Sequence, residues 1–137
     1  MLGVLMPTFA AAEERVTFPS LDGALAGGKA TTIDARLYRP RGDGPFPAVV
    51  GMHGCSGMFV SSGRWRGSVS GNYAEWGKRL SAAGYVVLLP DSYGPRGLAE
   101  VCSAKDREVL SRARTYDAYG ARSEEHTSEL ESRFGIS

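Results

Sequence analysis

A stretch of five residues, His53-Gly54-Cys55-Ser56-Gly57, contains the residue types that acyl-transfer chemistry uses. A histidine can act as a general base, and a serine or a cysteine can act as a nucleophile. The glycines favour a tight turn. The simpler alternative is that the glycines only let the chain leave a strand, while Cys55 and Ser56 fill space.

The elements around this turn predict where it lies. Apolar runs over residues 46–52 and 85–89 are typical of parallel strands that are buried on both faces. A helix is expected between them, with Ser70 or Asn72 as its N-cap and Gly84 as its stop. Its apolar stripe consists of Tyr73, Trp76, Gly77, Leu80 and Ala83. This strand–helix–strand unit brings both strand ends to one edge of a sheet, where α/β proteins hold their reactive groups.

The flanking segments predict two more strands and a second helix. Residues 15–19 and 30–39 predict a hairpin-like pair at the edge of the sheet, because the second segment alternates between apolar and polar side chains. The glycine-rich linker between them is not a phosphate-binding loop, since Ala30 stands where such a loop needs Ser or Thr. The second helix is predicted over about residues 104–119. Its inner stripe consists of Val109, Ala113, Tyr116 and Gly120.

Composition and charge exclude several classes of partner. The sequence is 42% hydrophobic and 23% charged over 137 residues, which is typical of one globular domain. A net charge of +1 argues against a nucleic-acid partner, because such binding requires clustered Lys and Arg. No apolar run approaches the roughly 20 residues of a membrane span. The two cysteines do not have the spacing of a zinc site, so neither a metal nor a cofactor is expected.

The sequence resembles the dienelactone hydrolase family of the α/β-hydrolase superfamily. The resemblance rests on LYRPRGDGPFPAVVGMHGCSG, on YAEWGKRLSAAGYVVLLPDSYGPRG and, more weakly, on RTYDAYGA. It covers roughly residues 16–121 and corresponds to the N-terminal part of such a domain. It implies an incomplete α/β-hydrolase fold with a mostly parallel sheet. The implied activity is hydrolysis of a small-molecule ester or lactone through a Ser or Cys nucleophile.

The resemblance also implies roles for the residues of the turn. The backbone amide of Cys55 would donate a hydrogen bond to the oxyanion, with the amide of Ser56 as the second choice. His53 and Gly54 would support the turn, and His53 would not take protons. Dienelactone hydrolases carry a Glu near this turn that contacts the nucleophilic Cys. This sequence has no Glu there, which argues against a dienelactone as the substrate.

The loop after the second strand, residues 90–97, holds a carboxylate and two hydroxyls. Asp91 is not expected to be the acid of a catalytic triad, because in this superfamily that acid follows the nucleophile. We expect Asp91 to bond to nearby backbone N–H groups of its own loop instead. Ser92 and Tyr93 are predicted to line a substrate pocket. In the alternative function, a non-catalytic module, the glycine-rich turn and Tyr93 would bind a small ligand.

The sequence contains no complete catalytic triad. Neither Gly-x-Ser-x-Gly nor Gly-x-Cys-x-Gly occurs, Cys55 lacks a credible base, and the only histidine besides His53 is His126. His126 lies in RSEEHTSEL, a stretch that resembles the translated read-through of a sequencing-library adapter. The alternative is a native charged helix capped by Ser123. We therefore expect residues 122–137 to be a non-native tail and the fragment to be inactive.

The N-terminus and the two cysteines indicate where the protein is located. The apolar residues 2–9 and the alanines that follow them are typical of a truncated signal peptide, which we assign to residues 1–12. Residues 13–121 would then be the hydrolase part, exported to the periplasm or secreted. In an oxidising compartment Cys55 and Cys102 can pair as a disulfide. Two buried thiols are the alternative.

Overall fold

The computed structural model describes residues 13–103, 105 and 107–125. The elements in chain order are β1 (Glu13–Pro19), β2 (Thr32–Tyr38), β3 (Ala48–Val50), α1 (Gly71–Ala82), β4 (Val86–Asp91), a 3₁₀ turn (Gly94–Arg96) and α2 (Arg107–Glu125). The four strands form one sheet in the order β1-β2-β4-β3. β3 and β4 are parallel, and the other two pairs are antiparallel. The predicted β3–α1–β4 unit is therefore present.

β1 and β2 form the antiparallel pair that the alternating pattern predicts. The side chains of Ile33, Ala35 and Leu37 are buried, and the residues between them are partly exposed. Alternation follows because successive side chains of a strand point to opposite faces. The pair lies at one edge of the sheet, with β1 outermost.

The two apolar strands differ in burial. All six residues of β4 are buried, because β2 and β3 flank it within the sheet. β3 contains only three residues, all half-buried, and is the outermost strand on its side of the described sheet. The prediction of a strand buried on both faces is correct for β4 and wrong for residues 46–52.

Two apolar clusters cover the two faces of the sheet. Alternate residues of β4 divide between them, since Val86 and Leu88 belong to one cluster and Val87 and Leu89 to the other. The first cluster also contains Phe18 of β1, Ile33, Ala35 and Leu37 of β2, and Ala121 of α2. The second contains Tyr38 and Met58, with Tyr73 and Leu80 of α1 packed against it. α1 and α2 therefore pack on opposite faces.

The buried face of α1 is narrower than its sequence suggests. Gly77 packs so closely on Tyr38 that a Cβ added at Gly77 would lie 2.6 Å from the tyrosine ring. Ser81 is also buried, whereas Trp76 is 56% exposed and Ala83 is exposed. The prediction of Trp76 and Ala83 as inward residues is wrong, because the close contact at Gly77 turns the adjacent Trp76 outward. The helix begins after Ser70 and ends before Gly84, as predicted, although the Ser70 side chain makes no capping bond.

The buried face of α2 includes a charged residue. Ala113, Asp117, Gly120 and Ala121 are buried, while Tyr116 is 40% exposed. The prediction of Tyr116 as an inward residue is wrong, because Asp117 takes the inward position and pairs there with Arg96. Val109 lies in the helix, but its side chain falls outside the described residues.

The helix α2 runs past the expected end of the native sequence. It continues through Ala121 to Glu125, so the predicted boundary after residue 121 falls inside a helix, and Ser123 lies within it. Residues 1–12, assigned to a signal peptide, and His126 fall outside the described residues. Neither described helix has the length and apolarity that crossing a bilayer requires.

Candidate active site

The turn at residues 53–57 and the loop at residues 91–97 lie side by side beyond the carboxyl ends of β3 and β4. The parallel pairing of the two strands causes this proximity. His53 connects the two segments, because its ring lies in the first and bonds to the backbone of the second. Arg114 of α2 adds a further contact by donating a hydrogen bond to the carbonyl of His53.

The protonation state of His53 follows from its two hydrogen bonds. The Nε2 atom accepts the backbone N–H of Ser92 at 3.1 Å and therefore carries no proton. The Nδ1 atom lies 2.9 Å from the carbonyl oxygen of Gly54, which can only accept, so Nδ1 carries the proton. Burial lowers the pKa of His53 below its ordinary value, which favours this neutral form. Both ring nitrogens are thus occupied, and His53 braces the turn.

Cys55 and Ser56 are exposed residues at the tip of the turn. Within the described part of the chain, neither N–H donates to a protein acceptor. The Cys55 carbonyl accepts the N–H of Val101 at 2.8 Å. The side chain of Cys55 forms a disulfide with Cys102, so its sulfur is not available as a thiolate nucleophile. The turn therefore carries two backbone N–H groups that have no acceptor among the described residues.

Two further contacts fix the two ends of the turn. The N–H of Gly54 donates to the hydroxyl of Tyr73 at 2.8 Å. Gly57 has a φ of +80°, and a Cβ added there would lie 2.7 Å from the carbonyl oxygen of Ala99, so a side chain is disfavoured at this position. The sequence shows Tyr73 only as a member of a helical stripe, and nothing in the spacing indicates its bond to Gly54.

Asp91, His53 and Ser92 lie together but do not form a triad. The Asp91 Oδ1 atom is 3.9 Å from the His53 Nε2 atom, and it accepts the N–H groups of Tyr93 and Gly94 at 3.0 Å each. Asp91 thus binds its own loop, as predicted. The N–H of Ser92 occupies the Nε2 lone pair that a base would need. His53 therefore cannot activate the Ser92 hydroxyl.

The side chains of Ser92 and Tyr93 are buried beneath the loop. Ser92 is fully buried and Tyr93 is 1% exposed, with its ring packed edge-on against His53 at 4.5 Å. Neither hydroxyl has a hydrogen-bond partner among the described residues. A cleft of about 400 Å³ opens beside the turn, lined by Ser56, Phe59 and Leu98 among others, and neither Ser92 nor Tyr93 contributes to it.

A buried ion cluster holds the loop after β4 in place. The Arg96 guanidinium binds Asp117 through two hydrogen bonds of 2.8 Å and Asp22 through a third of 2.8 Å. Burial would raise the pKa of Asp22, but hydrogen bonds from Thr31 and Arg96 outweigh it and hold that pKa below its ordinary value. Ser20 donates to Asp117 at 2.6 Å. This cluster ties three distant segments together and was not evident from the sequence.

The described residues contain no group of three or more His, Cys, Asp or Glu side chains that could hold a metal ion.

The sheet order, the parallel β3–α1–β4 unit and the loops beyond β3 and β4 define part of an α/β-hydrolase fold. The structure is similar to that of brefeldin A esterase, described as a bacterial homologue of human hormone-sensitive lipase. The TM-score is 0.50 at 20% sequence identity, and the match covers 99% of this chain and 32% of that protein. The chain thus spans about a third of that esterase's length. No protein-family model and no curated protein matches the sequence.

Proposed function

We propose that this chain is the oxyanion-binding part of a hydrolase that cleaves ester or lactone-type acyl bonds in small molecules. The main support for this proposal is that Cys55 and Ser56 are exposed residues beyond β3 whose N–H groups have no acceptor among the described residues. In acyl transfer the attack of a nucleophile converts the carbonyl oxygen into an oxyanion. Backbone donors that already face this position stabilise the transition state by about 3 kcal/mol each.

The position of β3 at an edge of the described sheet supports a nucleophile on an adjacent strand. β3 pairs with β4 on one side, and no described strand pairs with its other side. A groove of about 610 Å³ runs between β3 and α2, lined by Val50, Met52 and Ala118 among others. In the α/β-hydrolase superfamily the strand that carries the nucleophile pairs with the strand before the oxyanion turn. A Ser or Cys at the end of that strand would lie next to Cys55.

We further propose that the hydrolase is dienelactone hydrolase-like and that it is exported. On this proposal residues 1–12 are the end of a signal peptide, residues 13–121 belong to the hydrolase domain and residues 122–137 are non-native. The disulfide between Cys55 and Cys102 supports export to an oxidising compartment, the periplasm or the exterior. The fragment itself would be inactive, since its sequence holds no nucleophile motif.

The test begins with the genomic sequence beyond the codon for Ala121. We expect it to encode a strand followed by Gly-x-Ser-x-Gly or Gly-x-Cys-x-Gly. The complete gene product should hydrolyse a chromogenic short-chain ester, and replacement of its nucleophile by Ala should abolish turnover. The 137-residue chain should be inactive in the same assay. A native stop codon after Ser137, or a complete product without esterase or lactonase activity, would contradict the proposal.

A further inference from the structure

The conformation of Gly54 decides where the proposed oxyanion donor points. A peptide unit is planar and trans, so its N–H and C=O groups point in opposite directions. The carbonyl of Gly54 and the N–H of Cys55 belong to the same peptide unit. Any contact that fixes the Gly54 carbonyl therefore also fixes the direction of the Cys55 N–H.

Two side chains hold Gly54 from its two sides. His53 binds the Gly54 carbonyl through Nδ1 at 2.9 Å, and the hydroxyl of Tyr73 accepts the Gly54 N–H at 2.8 Å. The first bond fixes the peptide unit that follows the Gly54 Cα atom, and the second fixes the unit that precedes it. Together they restrict both dihedral angles of a residue that would otherwise have the widest conformational freedom.

We propose that Tyr73 is a positioning residue for the oxyanion turn, an inference that rests on the proposed function. Without its hydroxyl, the Gly54 N–H would have no partner among the described residues, and the peptide unit that precedes Gly54 would be held only by the bond from Arg114 to the His53 carbonyl. The direction of the Cys55 N–H would then depend only on the bonds that the Gly54 carbonyl accepts from His53 and from the N–H of Gly57, and it would vary more than in the wild type. Electrostatic catalysis depends on donors that are already oriented before charge develops, so the loss would appear in the chemical step.

The ring and the hydroxyl of Tyr73 have different contacts, so the positioning role can be tested separately from packing. Its ring belongs to α1 and packs against the apolar cluster of Tyr38, Met58, Val87 and Leu89. Phenylalanine would preserve that packing and remove only the hydroxyl. Among the described residues, Tyr73 is the one side chain of α1 that bonds to the turn. Tyr85 provides a matched control, since it is 38% exposed and lies outside the turn.

The experiment compares Tyr73→Phe and Tyr85→Phe in the complete gene product, with a chromogenic short-chain ester as substrate. For Tyr73→Phe we expect kcat to fall about tenfold to a hundredfold, as small misplacements of catalytic groups do. KM should change less than about threefold, because ground-state binding is retained. The thermal unfolding midpoint and the activity of the Tyr85→Phe variant should both equal those of the wild type.

Amide hydrogen exchange supplies a second readout that does not depend on activity. In Tyr73→Phe the amide of Gly54 should exchange faster than in the wild type, because it loses its acceptor, and Tyr85→Phe should leave it unchanged. Wild-type kcat in Tyr73→Phe would overturn the positioning role, and so would unchanged exchange at Gly54. A wild-type product without turnover would refute the proposed function instead, and exchange would still decide whether Tyr73 holds the turn.

Discussion

The turn after β3 and the loop after β4 occupy equivalent places in the fold but differ in how their polar groups are satisfied. Both follow parallel strands at the same edge of the sheet. In the loop, Asp91 bonds to its own backbone, and Arg96 pairs with two buried carboxylates. In the turn, Cys55 and Ser56 are exposed residues, and their N–H groups have no acceptor within the described part of the chain.

The difference shows that position within the fold does not by itself identify a reactive group. Asp91, Ser92 and Tyr93 have side chains that could do chemistry, yet all three are buried, and Asp91 is engaged by its own loop. The turn is held by His53 and Tyr73, and two of its N–H groups have no acceptor among the described residues. A group that is already satisfied by the protein has little left to offer a substrate.

Removal of the Arg96 guanidinium should produce the largest loss of stability. In Arg96→Met the carboxylates of Asp22 and Asp117 stay buried without a cation, which costs about 3 to 5 kcal/mol. Urea unfolding would measure this change. Arg15→Met is the control, because the Arg15 side chain is 67% exposed in its pair with Asp34, and its removal should cost far less stability than the removal of Arg96. Equal losses in the two variants would contradict a structural role for the loop after β4.

Loss of the disulfide should have the next largest effect. Cys55 and Cys102 are 47 residues apart, and a bridge over a loop of this length typically stabilises a protein by about 2 to 4 kcal/mol. The double variant Cys55→Ser, Cys102→Ser should unfold at lower urea concentration than the oxidised wild type. Reduction of the wild type should give the same shift. An unfolding midpoint that is insensitive to reductant would show that the bridge does not hold the turn.

A methyl group at Gly57 should test how tightly the turn is held. Gly57→Ala combines a positive φ with a contact of 2.7 Å to the Ala99 carbonyl, and we expect a loss of about 1 to 3 kcal/mol. Gly63→Ala is the control, since Gly63 has a φ of +75° and no atom within 4 Å of the added Cβ. The Gly63→Ala variant therefore measures the cost of the positive φ alone. If Gly57→Ala lost no more unfolding free energy than Gly63→Ala, the turn would be held less tightly than proposed.

The pH dependence of stability should report on His53 with the smallest effect. The unfolded chain takes up a proton near the ordinary pKa of 6.5, whereas burial lowers the pKa of His53 in the folded protein. The contribution of His53 is therefore fully present above pH 6.5 and is lost as pH falls from there through the lowered pKa. Through His53, the free energy of unfolding should change with pH by at most about 1.4 kcal/mol per pH unit.

The variant His53→Gln should remove this slope, because Gln does not titrate, while the other histidine stays in place. The lowered pKa of Asp22 contributes only at more acidic pH, below its ordinary 3.8. Unfolding in urea at several pH values between about 5 and 7.5 spans the relevant range. An identical slope in the wild type and the variant would contradict the neutral, bracing role of His53.

The elements of the fold follow from local patterns, but the contacts that hold the site do not. The alternation in β2, the apolar run of β4 and the glycine after α1 are properties of neighbouring residues. The bonds from Arg96 to Asp22 and to Asp117 span 74 and 21 positions, and the Gly54–Tyr73 bond spans 19. No periodicity encodes such pairs, so they depend on tertiary packing. The incorrect predictions that Trp76 and Tyr116 face inward have the same cause. Tertiary contacts place Gly77 and Asp117 in the inward positions instead.

A structure of the complete gene product inactivated by an aryl phosphonate ester would show directly where the oxyanion binds. The phosphonyl oxygen represents the oxyanion of the tetrahedral intermediate. We expect this oxygen to lie about 2.7 to 3.1 Å from the backbone nitrogen of Cys55. A phosphonyl oxygen bound away from both Cys55 and Ser56 would contradict the proposed function.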